Sequence, residues 1–422
     1  MLCLIASGVA NALGPNASSS TATLSVPGRA NATPTIAADG RFVAVAWGAS
    51  QTGGATDVFV ATSHDSGRTF NAPVRVNSEG GDVRLNGEQP ASIALAHRPG
   101  RDPGIVVVWT AKGANGTTLM QARSDDGGST FGRASIVPGS DAAGNRGWEA
   151  LATEPGGRAD AVWLDHRELA QNTAMATSHH EHNAADKPDG VAMAQKSKLY
   201  FVALDGTAPP VAVTGGVCYC CKTALAVGAD RTIYAAWRHV YPGNLRDMAF
   251  TLSRDGGRTF APPVRVSEDR WMLEGCPDDG PSMAVDAKNG VHLVWPTLVE
   301  GSAGTEPTIG IFYAMSVDGR TFSRRERLPA EGTPHHPRAV VLADGSVMAA
   351  WDEVAGGSRR LALAHIKMSA SGRPRIEREP ALETGAAVYP VLAVSADGPI
   401  AAWTSPSSAG SAIQVAGLAS KR

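Results

Sequence analysis

The sequence has almost no charge imbalance: 38 Lys and Arg stand against 40 Asp and Glu, for a formal net charge of -2 and a pI near 6.6. Without a basic field to attract phosphodiesters or anionic lipid, nucleic acid and membrane surfaces are disfavoured as partners. A charged ligand must then be met by a local patch. Beyond the first dozen residues no run is long and apolar enough to span a bilayer, so no transmembrane segment is expected in the mature chain. Cysteine is scarce, with five in 422 residues at positions 3, 218, 220, 221 and 276. Lys and Arg are absent ahead of the N-terminal apolar run MLCLIASGVANA, yet that run closes on Ala10-Asn11-Ala12, a small-x-small cleavage pattern. We expect residues 1–12 to be a signal peptide, whole or the end of a longer one, with a mere tail as the alternative, and the chain to be periplasmic or secreted. Cleavage after Ala12 would leave four cysteines, an even number suited to an oxidising compartment.

What the sequence has in quantity is punctuation. Its 47 Gly and 27 Pro, with 43% apolar and 18% charged residues, describe many short strands joined by tight turns, an all-β composition. A repeat then organises those strands. S-x-D-x-G-x-T-F occurs from Ser63 to Phe70, from Ser124 to Phe131 and from Ser253 to Phe260, and one residue short from Ser316 to Phe322. The Asp carboxylate can accept from following backbone N–H groups, Gly permits positive φ, and Thr-Phe re-enters a strand with an aromatic anchor. These residues build turns rather than do chemistry. A second mark is a strand ending in Trp, at Trp47, Trp109, Trp163, Trp237, Trp295, Trp351 and Trp403, seven of the nine tryptophans. We read them as core anchors between stacked units, not as a sugar-stacking platform.

Each unit reads as four strands, the content of one propeller blade. Seven units give a seven-bladed β-propeller over residues 13–422, a single domain with an inserted loop at 165–197. Degenerate turns are expected near Leu204-Asp205-Gly206 and Ser371-Gly372, and the last unit lacks a fourth strand, which the segment Thr21 to Gly28 could supply from the N-terminus. The turn motif resembles the Asp-box (BNR) repeat of the sialidase superfamily, and the resemblance covers most of the chain. It implies a propeller, six-bladed in sialidases proper, and a hydrolytic site for acidic sugars. A sialidase needs three arginines on the substrate carboxylate, a Tyr nucleophile helped by a Glu, and an Asp acid/base. The family's Arg-Ile-Pro element has no counterpart here, where Pro27-Gly28-Arg29 stands, so the repeat and the fold carry over and the catalytic set does not.

In a four-stranded blade the loop into the innermost strand and the loop after the second strand share one rim, opposite the turn motifs. On that rim fall Glu88 and Gln89, Arg146 to Glu149, Cys218, Cys220 and Cys221, Cys276, Asp278 and Asp279, His335 and His336, Arg338 and Tyr389, and, after the tryptophans, Asp165 to Glu168, Arg238, His239, Tyr241, Asp352 and Glu353. For a hydrolytic site Arg146, Arg167, Arg238 and Arg338 could clamp an anion, Tyr241 or Tyr389 could be the nucleophile, and Glu149, Glu168, Asp165 or Asp278 could do the proton work. Soft thiolate and imidazole donors suit copper or zinc, with Cys218, Cys220, Cys221, Cys276, His335 and His336 as ligands. Disulfides between neighbouring loops are the alternative, as is one disulfide with two remaining ligands. The loop His179-His180-Glu181-His182, flanked by Met175 and Met193, is a weaker donor set or a lid. Three functions stay open: an exported metalloprotein, catalytic or not, with copper or zinc at the mouth; a glycoside hydrolase taking acidic sugars; and a non-catalytic propeller binding a small molecule, glycan or protein partner.

Overall fold

The computed structural model describes residues 21–78, 82–170, 190–273, 279–299, 306–369, 372–382, 384–408 and 410–419. Among the described residues the strands form seven antiparallel four-stranded sheets. The innermost strand of each sheet touches that of the next, and the last touches the first, so the sheets close a ring. Blade 1 illustrates the plan, running outward through Ala30–Asp39, Phe42–Ser50, Thr56–Ser63 and Val74–Arg75. Blade 7 has three strands from the C-terminal end, and its fourth is Ala22–Leu24, paired antiparallel to Gly410–Gly417 with Ala22 opposite Val415. The expected N-terminal closure is thus present, and the count is seven. No described helix is long enough and apolar enough to cross a membrane. Residues 1–12, the histidine-rich segment 179–182, Met175, Ser371, Cys276 and Asp278 lie outside the described residues.

The turn motifs work as their composition requires. In the first, Asp65 Oδ1 accepts from Arg68 N at 3.0 Å and Thr69 N at 2.9 Å, while Oδ2 accepts from Thr69 Oγ1 at 2.6 Å. Burial raises the carboxyl, but these donors together outweigh it and hold it well below its usual range, and Asp126 and Asp255 repeat the pattern at about 2. The glycine two residues after each Asp does more than turn the chain. Gly67 has φ 85°, and a Cβ there would stand 2.2 Å from Ile400 Cδ1 of blade 7; Gly128 and Gly257 press in the same way on Thr62 and Phe201 of the preceding blades.

All seven repeat tryptophans are at most 2% exposed. Each joins the apolar cluster formed with the preceding blade, as Trp109 does with Val58 and Val60. Burying a ring of that size brings an indole N–H that needs an acceptor. Two residues after the Trp, three blades supply one: Asp165 Oδ2 accepts from Trp163 at 3.0 Å, Glu353 Oε2 from Trp351 at 3.1 Å, and His239 Nδ1 from Trp237 at 3.3 Å.

The innermost strands of four blades bulge opposite this same Trp. Register slips between Ala32 and Thr35, Gly147 and Ala150, His335 and Arg338, and Val388 and Val391, so that two residues oppose one. The first of each pair is a non-glycine at positive φ: Thr33 at 56°, Trp148 at 57°, His336 at 53° and Tyr389 at 54°. Pro34, Pro337 and Pro390 follow three of them, and Glu149 takes that place in the fourth. Such bulges end pairing and re-aim side chains, and strain of this kind persists only where the surroundings enforce it.

Candidate active site at the channel mouth

A cavity of about 220 Å³ lies where the inner strands converge, lined among others by Glu88, Trp148, Glu149, Lys222 and Arg338. Residues paired with the position before each Trp are Thr35, Ser92, Ala150, Ala224, Ser282, Arg338 and Val391. Six are small or medium and one is arginine. Arg338 makes no hydrogen bond or ion pair with a described side chain, and burial lowers its pKa against the opposing fields of Asp279 and Glu88. It is a cation in the channel with no counter-ion in contact among the described residues.

The two glutamates of this cavity have opposite environments. Glu149 is 9% exposed; burial pushes its carboxyl up to about 7, opposed weakly by Thr110 Oγ1, which donates to Oε2 at 3.4 Å. Its Oε1 has no partner among the described residues. Glu88 is half-buried, and desolvation alone would raise it, but His336 Nε2 at 3.1 Å and Lys222 Nζ at 3.3 Å bring it below the usual carboxylate range. At neutral pH one carboxyl carries its proton for much of the time and the other does not.

His336 sits at the centre of a relay. Its Nδ1 faces Asp352 Oδ1 at 2.6 Å, its backbone N donates to Asp279 Oδ2 at 2.5 Å, and its ring lies 4.3 Å from that of Tyr389. Against desolvation, which lowers the imidazole pKa, the bonds to Asp352 and Glu88 raise it. Tyr389 fits because residue 87 is glycine: a Cβ there would be 2.1 Å from the Tyr389 hydroxyl. His335, half-buried beside it, is lowered by desolvation.

The other sequence candidates are placed elsewhere. Asp165 is fully buried, its oxygens taken by Trp163 Nε1, Arg146 Nε at 3.1 Å and Arg167 Nη2 at 2.7 Å. Arg167 also stacks on Tyr200, at 4.2 Å to the ring. Arg238, 1% exposed, donates to the carbonyls of Arg246, Asp279 and Pro296, so it is no anion clamp. Tyr241 lies under Arg265, and burial pushes its hydroxyl up to about 12. None of these four lines the cavity. Glu88, Lys222 and Arg338 outrank them by position. Glu88 and Arg338 stand on the rim that repeat phase marks out, whereas Lys222 directly follows the cysteine run that drew attention away from it.

The cysteines form their own cluster beside the mouth. Cys218 and Cys221 are free thiols, and Cys220 is disulfide-bonded to a residue outside the described ones. Cys221 donates to Cys218 Sγ at 3.5 Å, and Arg246 Nη1 donates to it at 3.2 Å. Cys221 donation, outweighing burial, and the two arginines 246 and 238 draw the Cys218 thiol down to about 6, while burial pushes Cys221 well up.

No family model and no curated protein matches the chain. Among solved structures, an ulvan lyase bound to -[GlcA(1-4)Rha3S]- is similar over 92% of this chain and 93% of its own, at 10% identity and a TM-score of 0.54. A protein of unknown function from Dyadobacter fermentans is similar over 94% and 97%, at 14% identity and a TM-score of 0.50. The Hadza microbial sialidase Hz136 matches 86% of this chain and 73% of its own, at 14% identity and a TM-score of 0.46. At such identities the likeness is one of fold alone, carried by the first two.

Proposed function

We propose that this chain is an exported carbohydrate-active enzyme, a glycoside hydrolase that takes an acidic glycan at the channel mouth. One observation carries the reading: Glu149 and Glu88 line a single cavity with their protonation pushed apart, the arrangement that divides acid from base in two-carboxylate glycosidic cleavage. Glu149 would donate the proton to the leaving oxygen. Glu88, kept ionised by Lys222 and His336, would take the complementary role. Arg338 supplies a cation for a carboxylate or sulfate on the substrate. The acidic saccharide in the ulvan lyase supports the substrate class on a shared fold. Incubation with a panel of uronate, sialate and sulfated glycans tests this. New reducing ends without an unsaturated, ultraviolet-absorbing product are expected, and they should vanish in Glu149→Gln. An unsaturated product would mean elimination chemistry and overturn the hydrolytic assignment, and turnover surviving in the variant would remove Glu149 from it.

A second reading, a soft-metal site for copper or zinc, is supported by the Cys218, Cys220 and Cys221 sulfurs lying within 4.8 Å of one another. His335 and His336 are weaker ligands in it, because the His336 nitrogens face Asp352 and Glu88. The disulfide at Cys220 agrees with an oxidising compartment. Metal analysis of the purified chain, with thiol counting, tests this reading, and metal-free protein that takes up neither ion would overturn it.

A further inference from the structure

Arg238 and Arg246 are 1% and 0% exposed, and neither has a carboxylate partner among the described residues. Arg238 bonds to backbone carbonyls, and Arg246 to Asn244 Oδ1 and Cys218 Sγ. Two buried guanidinium charges without a counter-ion are costly unless something anionic meets them. Beside them lie the sulfurs. Cys218, Cys220 and Cys221 are buried at 1%, 7% and 2% exposure, under Ala194 and Val240.

The sulfur spacing suits one ion. Donors at about 2.3 Å from a metal stand about 3.8 Å apart in a tetrahedron and about 4.0 Å apart in a trigonal plane. Cys218 Sγ is 3.5 Å from Cys221 Sγ and 3.9 Å from Cys220 Sγ. Three thiolates around a monovalent soft ion leave two negative charges, matching the two arginines. A divalent ion would leave one.

Resting on the soft-metal reading above, we propose that the Cys220 disulfide gates this site, which completes a three-sulfur pocket for one Cu(I) ion only when the disulfide is reduced. With the disulfide closed, Cys218 and Cys221 offer two sulfurs. A dithiol reductant breaks the bond by passing two electrons and two protons to Cys220 and its partner, and itself becomes a disulfide. Cu(I) then displaces the protons of the three thiols, so uptake acidifies a weakly buffered solution.

The test uses the full chain, oxidised with glutathione disulfide or reduced with a dithiol that is then removed without air, titrated against Cu(I) held by a coloured chelator. The reduced wild type should withdraw one copper per chain, and the oxidised protein should bind about a hundredfold more weakly or less. Cys220→Ser should bind weakly after either treatment, and Cys218→Ser should lose the site, with Cys221→Ser replacing it if circular dichroism shows Cys218→Ser unfolded. Equal binding by oxidised and reduced wild type overturns the gate and leaves the soft-metal reading standing. No binding by either overturns both, and undiminished binding in the Cys218 and Cys221 variants overturns this pocket as the site.

Discussion

Replacing Glu149 by Gln exchanges a carboxyl for a neutral group of the same shape, which isolates the effect of its ionisation. Burial raises this carboxyl from 4.5 to about 7, against its own backbone N–H and Thr110 Oγ1. Between those two pH values the folded protein keeps a proton that the unfolded chain has released, so wild-type stability falls as pH rises through the window and levels off above it. At 1.36 kcal/mol per pH unit the loss amounts to about 3 kcal/mol. The Gln variant has no such loss. Any change in its hydrogen bonding is the same at every pH and cancels when pH values are compared. Denaturant titrations followed by the fluorescence of the buried tryptophans should therefore find the variant gaining about 3 kcal/mol on the wild type between pH 4.5 and pH 8. The same substitution should reduce turnover by roughly 10²–10⁴, and wild-type activity should decline above pH 7 as the proton is lost. A stability difference independent of pH would show that Glu149 titrates normally and refute the reasoning, the assignment of the acid included.

Arg338→Ala should raise KM for an acidic glycan by about 10–100-fold through loss of a charged hydrogen bond, while a neutral glycan of the same linkage should be unaffected; equal losses on both would remove the anion-binding role. Asp352→Asn removes an acceptor that raises His336, so the imidazole resonances of His336 should titrate at lower pH, and an unmoved titration would mean that Glu88 alone sets it. The His336 interactions stabilise the fold fully below pH 6.5 and are lost as pH rises through the raised folded value, a dependence that the Asn variant should lack in part. Gly67→Ala should destabilise by about 1–3 kcal/mol, because both φ and the clash with Ile400 oppose it, whereas Gly100→Ala, with positive φ but open space, should cost about 1 kcal/mol. Equal effects on the denaturation midpoint at the two glycines would deny the inter-blade contact.

The repeat made the architecture legible, since a turn motif and a periodic Trp are local features that fix strand count, blade phase and rim without any long-range information. The choice among rim residues was harder, because two consequences of that same Trp are not local. Its buried indole recruits an acceptor two residues on, which turns Asp165 from a plausible acid into a structural partner. Opposite it the inner strand bulges, which turns Trp148-Glu149 and His336 toward the mouth. A mark of the bulge was present in Pro34, Pro337 and Pro390, because proline inside a strand signals broken pairing. Arg338 was one of four rim arginines that could clamp an anion, and register singled it out by showing the other blades holding smaller residues at its position. Pairing state was beyond reach altogether: nothing in Cys-Tyr-Cys-Cys says which sulfur is oxidised, and whether the cluster is a staple or a site turns on Cys220. The glutamates and the sulfurs meet at Lys222, which follows Cys221 in sequence and pairs with Glu88. A change in the thiol cluster that shifts this lysine would alter the field on Glu88. The copper titration and the pH–rate profile are therefore best measured on the same reduced and oxidised preparations, where a shifted acid limb on reduction would show the two sites coupled and an unchanged limb would show them independent.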